Sequence, residues 1–117
     1  MGKLIEYTDQ YGNNYELAFE RTEYCFGSLA IEVHCKEEGE EWWEPYATLT
    51  VNLGPCFDGQ AHLDTNNVKH LCEFVVEHGW AEPIGEGASG YCTYPLVQFT
   101  DEFLNNICLD AEKGDML

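Results

Sequence analysis

Basic residues are scarce in this sequence. Five Lys and Arg stand against 22 Asp and Glu, which gives a formal net charge of −17. Proteins that bind nucleic acid directly use basic side chains to neutralise phosphates, and anionic lipid attracts the same side chains. The charge balance therefore excludes direct binding to nucleic acid or to an anionic membrane surface.

Long apolar runs are absent as well, and none approaches the ~20 residues of a membrane span. The first residues, Met1 to Glu6, lack the apolar segment of a signal peptide. We therefore expect a cytoplasmic protein, whose six cysteines are free thiols in that reducing compartment.

The spacing of ligands and nucleophiles is not that of a catalytic or metal site. No two cysteines lie two to four residues apart, as zinc sites require. The negative surroundings of Cys92 do not favour a nucleophilic thiolate, and the common serine-hydrolase, phosphate-loop and dinucleotide motifs are missing. We predict no metal, no cofactor and no enzymatic activity; the alternative is an enzyme that uses Cys92 or a His/carboxylate pair.

The hydrophobic content is that of a folded domain. Hydrophobic residues make up 44 % of the chain and aromatic residues 14 %, far more than a disordered acidic tail contains. We predict a single domain over 1–117, with a frayed tail at 111–117.

The first half alternates between apolar and polar residues with a period of two, which predicts four half-buried strands in an antiparallel meander. On the second strand Leu17 and Phe19 face one side, and Glu16 and Glu20 face the other. On the fourth, Thr50 is expected to point outward. The predicted strands are Lys3–Asp9, Asn14–Thr22, Ser28–Lys36 and Glu44–Leu53.

The period changes in the second half. An N-cap at Asp64 precedes apolar residues at helical spacing from Val68 to Val76, with Gly79 at the end. Residues 53–60 and 82–90 are predicted loops. Residues 91–99 are a fifth strand that Pro95 confines to an edge or bulge, and Thr100 caps a second helix. The order ββββαβα predicts an α+β fold with both helices on one sheet face.

Acidic residues concentrate on the polar face of the predicted meander. Residues two apart on a strand lie ~6.7 Å apart and neighbouring strands ~4.8 Å apart, so carboxylates there form a two-dimensional array. The turn between the third and fourth strands adds more acids and two tryptophans, a residue enriched in binding hot spots. The predicted partner-binding residues are Glu6, Glu16, Glu20 and Glu32 on the strands and Glu37, Glu38, Glu40, Glu41, Trp42, Trp43 and Glu44 in the turn.

Two simpler interpretations of these residues stay open. The acids could form a solvated, solubilising face, although a net charge of about 2 to 8 is enough for a small domain. The tryptophans could form a hydrophobic clasp over the sheet edge.

Several segments resemble a family of small acidic proteins of unassigned function from gut bacteria and their conjugative elements and phages. They lie within residues 28–100 and comprise Tyr46–Leu53, Asp64–Asn67, Ala81–Pro83, Ser89–Pro95 and Phe99. The resemblance implies a mobile-element context, in which small acidic proteins often disarm host defence.

These observations predict an inhibitor that imitates the charge of nucleic acid. Its partner would be a basic nucleic-acid-binding protein, namely a Cas effector or a restriction nuclease, in the cytoplasm of a bacterial host cell. The alternative is a protein–protein adaptor or a homodimeric accessory module of a mobile element.

Overall fold

The computed structural model describes residues 4–25, 27–37 and 39–110. Within these ranges the chain is an α+β protein with two mostly antiparallel sheets, one α-helix and one π-helical turn. The frayed tail predicted at 111–117 lies outside the described residues. None of the helices in the described part of the chain has the length and apolarity needed to cross a membrane.

The first sheet has the strand order β1-β2-β3-β4, which confirms the predicted meander. All neighbouring pairs in this path are antiparallel. A short strand near the end of the described chain, β9, runs parallel to β2 at residues 20–21 and continues the edge that β1 begins. The strand bounds are Ile5–Thr8 (β1), Asn14–Glu23 (β2), Leu29–Glu37 (β3), Glu44–Thr48 (β4) and Leu109–Asp110 (β9).

The predicted fourth strand is not continuous, because the chain changes sheets at Leu49. Only β4 belongs to the first sheet, and Thr50–Val51 (β5) joins the second. Thr50 was expected to point outward, but it is buried. Its hydroxyl accepts the Ile31 N–H at 3.2 Å and bonds the Tyr24 hydroxyl at 2.9 Å, so burial leaves no polar group unsatisfied there.

The second sheet has the order β5-β6-β8-β7 and contains two strands that the sequence pattern did not predict. Gln60–Leu63 (β6) includes the end of a predicted loop, and Ala81–Ser89 (β7) occupies the whole predicted loop 82–90. Apart from Ala81, β7 is mainly exposed, so its sequence carries no buried stripe. Backbone pairing with Cys92–Phe99 (β8) along its length holds it in place.

Pro95 lies where β8 has a single neighbour. β6 pairs only with residues 96–98 of β8, whereas at Pro95 the strand pairs with Glu86 of β7 alone. This agrees with the expectation that proline sits at a local edge. Beyond that point β7 and β8 continue as a two-stranded ribbon that ends at Tyr91.

The predicted first helix is confirmed as Thr65–Glu77 (α1). The Asp64 carboxylate accepts the Asn67 N–H at 3.3 Å, which satisfies one of the free donors at the helix start. The chain leaves the helix through Gly79, whose φ of +73° favours glycine. The inner face buries Leu71, Cys72 and Val75, as the spacing predicts.

The second predicted helix is present, but it consists of a π-helical turn over Phe103–Ile107 after two α-helical residues at 101–102. Thr100 caps it, as predicted, by accepting the Phe103 N–H at 3.1 Å. Its apolar residues Phe103, Leu104 and Ile107 are buried, and the ring centre of Phe103 lies 5.3 Å from that of Phe19 on β2. On β1, the Tyr7 ring lies 4.9 Å from that of Phe74 on α1. The core therefore lies against the apolar face of the first sheet.

Candidate partner-binding surface

Four glutamates of the first sheet project from one face, here called the acidic face. Glu6 pairs with Glu16 across β1 and β2, and Glu20 pairs with Glu32 across β2 and β3. Directly paired residues share a face, and so do residues four apart on one strand. Leu17 on the same strand is fully buried on the opposite side.

The acidic face also carries two residues that can hold positive charge. Lys36 Nζ lies 3.8 Å from Glu16 Oε2, and His34 Nε2 lies 3.8 Å from Glu20 Oε1. His34 stands opposite Ala18, between the two glutamate pairs. The array is therefore not continuous: two carboxylate pairs lie about 13 Å apart along β2, with Lys36 and His34 beside them.

Hydrogen bonding fixes Glu32 within its pair. The Thr48 hydroxyl on β4 donates to Glu32 Oε2 at 3.1 Å. Glu20 and Glu32 are both half-buried, whereas Glu6 at the sheet edge is exposed. The Glu20–Glu32 pair is therefore held more rigidly than the Glu6–Glu16 pair.

The connection between β3 and β4 is the second acidic feature, here called the acidic turn (residues 37–44). The Glu40 N–H donates to the Glu37 carbonyl at 3.0 Å, and Gly39 takes a φ of +87°. Trp42 is 77 % exposed. The four exposed glutamates are Glu37, Glu40, Glu41 and Glu44. Glu38, also predicted to bind a partner, lies outside the described residues.

The two tryptophans of the acidic turn have different surroundings. Trp43 is half-buried, and Lys36 Nζ lies 5.2 Å from its ring centre, within cation–π range. Since Lys36 also contacts Glu16, it joins the acidic turn to the acidic face. Trp43 therefore packs on the sheet as a clasp would, whereas Trp42 presents most of its surface to solvent.

The negative charge of this region acts on nearby groups. Burial raises the pKa of the Cys35 thiol, and the carboxylates of Glu44 and Glu37 raise it further. Burial also raises the pKa of the Tyr15 phenol, with added effects from Asp9 and Glu37. The carboxylates of the acidic turn thus add to burial in disfavouring the ionised forms of these two groups.

Two side-chain pairs that sequence reasoning missed come together only in the folded chain. The Tyr7 hydroxyl and His70 Nδ1 lie 2.6 Å apart although 63 residues separate them, and burial raises the pKa of Tyr7 above its usual range. Cys56 Sγ and His62 Nδ1 lie 3.8 Å apart. Burial raises the pKa of the Cys56 thiol and lowers that of His62, which favours the neutral form of both.

Across the described ranges, no three His, Cys, Asp or Glu side chains come together in a way that could hold a metal ion.

In comparisons with known proteins, a family model described as "Domain of unknown function (DUF4313)" matches residues 18–114. No curated protein and no solved structure matches the chain.

Proposed function

We propose that this chain, which belongs to the DUF4313 family, is a non-enzymatic inhibitor that occupies the nucleic-acid-binding groove of a bacterial defence nuclease. The inhibitor is of the anti-CRISPR or antirestriction type. One observation carries the proposal: two cross-strand glutamate pairs share a sheet face, and Lys36 on that face contacts Trp43 of the acidic turn, in which Glu40 and Glu41 are exposed. Arg and Lys side chains that grip phosphates would be steered to this surface.

The rigidity of the sheet supports this function. Backbone pairing fixes the separation of the strands, so the backbone that carries the carboxylates needs little ordering when a partner binds. Each cross-strand pair offers two negative charges about 5 Å apart, to which guanidinium groups can bind. In this proposal Trp42 fills an apolar pocket beside the basic groove.

The arrangement of the helical segments is the second support. In the proposal both segments cover the apolar face of the first sheet and leave the acidic face open to the partner. The ring contacts of Tyr7 with Phe74 and of Phe19 with Phe103 favour this arrangement.

The biological setting belongs to the same proposal. We place the protein in a mobile element or phage of gut bacteria, acting in the host cytoplasm. The support is the resemblance in Tyr46–Leu53 and Ser89–Pro95, together with a charge that would repel nucleic acid itself.

The test is inhibition of cleavage across a panel of purified Cas effectors and restriction nucleases. One variant carries Gln at all four exposed glutamates of the acidic turn, and a second carries Gln at Glu6, Glu20 and Glu32. The matched control has four exposed acids replaced by their amides elsewhere: Glu82, Glu86, Asp101 and Glu102.

We expect the chain to inhibit at least one enzyme, both variants to lose inhibition, and the control to keep it. Equal loss in the control would show that bulk charge rather than this surface acts. Failure to inhibit any nuclease in the panel would contradict the proposal.

A protein–protein adaptor or homodimeric accessory module is the second candidate function. Three large apolar side chains on the second sheet and its loops favour it: Phe57 is 83 % exposed, Ile84 47 % and Tyr91 fully. An adaptor would form a stable complex or dimer without affecting cleavage, and the complex would weaken when these side chains are replaced.

A further inference from the structure

A groove of about 340 Å³ lies between α1 and the second sheet, away from the acidic face. Its deepest lining consists of Leu63, Cys72 and Val97, which are all at most 2 % exposed. Val76 and Pro95 are half-buried and line its sides. The groove is therefore an apolar concavity open to solvent.

Two carboxylates stand at the rim of this groove. Glu73 and Glu77 line it and are exposed, four residues apart on the same side of α1. The net charge of the whole chain, these two glutamates included, is −17, which repels an anionic ligand from the rim. The charge around the groove is complementary to a cationic partner.

We propose that this groove binds a short basic amphipathic helix of a partner protein. Apolar side chains on one face of that helix enter the groove, and flanking Lys or Arg side chains pair with Glu73 and Glu77. A volume near the lower end of the usual range for ligand pockets suits a few such side chains. This binding mode goes beyond the proposed function and does not depend on it.

Pro83 in β7 argues that a partner docks its side chains in the groove rather than adding a strand to the sheet. β7 is one of the two edge strands of the second sheet, and Pro83 lies within it, paired with Val97. A proline in an edge strand offers no N–H to an added strand. A partner at this site therefore gains most of its binding free energy by filling the groove with side chains.

The experiment titrates the full chain with synthetic peptides and follows backbone amide signals by NMR at about 150 mM salt. The basic probe is a 16-residue helical peptide with Leu on one face and Lys on the flanks. A scrambled peptide of the same composition tests for non-specific attraction, and an acidic version carries Glu in place of Lys. The double variant Glu73→Lys/Glu77→Lys changes exposed rim positions only, and Val76→Glu blocks the groove.

We expect shifts that centre on the groove and a Kd for the basic peptide about tenfold lower than for the scrambled or acidic peptide. The rim variant should reduce the preference for basic over acidic peptide, and Val76→Glu should abolish binding. The control Asp101→Lys/Glu102→Lys makes the same charge change outside the groove and should leave the Kd within about twofold.

Equal affinity for the ordered and scrambled basic peptides, shifts centred elsewhere, or no binding would overturn the proposal. Self-association that Val76→Glu abolishes, without peptide binding, would show that a second copy occupies the groove and would overturn it too. The acidic-turn variant should bind the peptide unchanged. A failure here is thus distinguishable from a failure of the proposed inhibitor function.

Discussion

Glu20 and Glu32 stand directly opposite each other in the antiparallel register of β2 and β3. Like charges opposed across two strands destabilise a sheet, and the half-burial of both side chains limits screening by water. Surfaces that serve binding often keep residues that are unfavourable for stability. The pair is thus where the proposed function and the stability of the fold oppose each other most directly.

Replacing one member of this pair should stabilise the protein. Glu32→Gln removes the repulsion, while its amide oxygen can still accept the Thr48 hydroxyl. We expect the free energy of unfolding to rise by about 0.2–1 kcal/mol at ~20 mM salt and by less at ~500 mM. Urea denaturation at both salt concentrations measures this. Glu16→Gln is the control, because it also removes the contact with Lys36 and should give no such gain.

The two tryptophans of the acidic turn should respond differently to truncation. Trp42→Ala removes a mainly exposed side chain, so stability should change by less than about 0.5 kcal/mol. The affinity of the Trp42→Ala protein for the nuclease should be about 30-fold lower than that of the unchanged protein, as at a binding hot spot. Trp43→Ala loses the contact with Lys36 and should lower stability by about 0.5–1 kcal/mol. Calorimetry on both variants measures the two effects; a Trp42→Ala protein with unchanged affinity would refute the anchor role.

Not every acid should matter for binding, and Asp64 provides the comparison. Asp64→Ala removes the N-cap of α1 and should cost about 1 kcal/mol of stability. Asp64→Asn, which keeps a capping oxygen, should cost less. Both variants lose one negative charge outside the acidic face and turn, so nuclease inhibition by the folded protein should stay unchanged. Thermal melts and cleavage assays test these points together, and lost inhibition in the folded Asn variant would count against a localised surface.

Buried thiols should make the fold sensitive to alkaline pH. Burial raises the pKa of both Cys72 and Cys108 to about 12, whereas a thiol in the unfolded chain titrates near 8.5. Above pH ~8.5 the unfolded chain therefore loses protons that the native state retains. Stability should be intact below that pH and fall as the pH rises towards 12.

Denaturation at pH 8, 9 and 10 measures this slope. Replacing Cys72 and Cys108 by Ala should make the decline shallower, although Cys35 and Cys56, whose pKa burial also raises, keep part of it. A Cys25→Ala control, at an exposed position, should keep the full slope. An identical slope in the Cys72/Cys108 double variant would contradict this explanation.

The sequence was most informative where burial is periodic. Alternation in β2 and β3 predicted both the meander and the common face of Glu16, Glu20 and Glu32. The same alternation places His34 and Lys36 on that face, a signal that the sequence contained but the predicted array did not use. The capping residue and helical spacing after Asp64 predicted α1 for equally local reasons.

The missed features depend on tertiary contacts. β7 has no apolar stripe, and its pairing with β8 could not be read from residues 82–90 alone. Thr50 is buried only because Tyr24 and Ile31 satisfy its hydroxyl. The groove beside α1 likewise joins Val76 to Pro95, which lie on separate elements.

The most direct test of the central claim is the affinity of the chain for the nuclease that it inhibits, measured with and without the enzyme's nucleic acid between ~50 and ~500 mM salt. The proposed surface predicts that log Kd rises steeply with log salt concentration and that bound nucleic acid excludes the protein. An affinity that is the same at both salt concentrations, or a ternary complex in which protein and nucleic acid bind together, would contradict it.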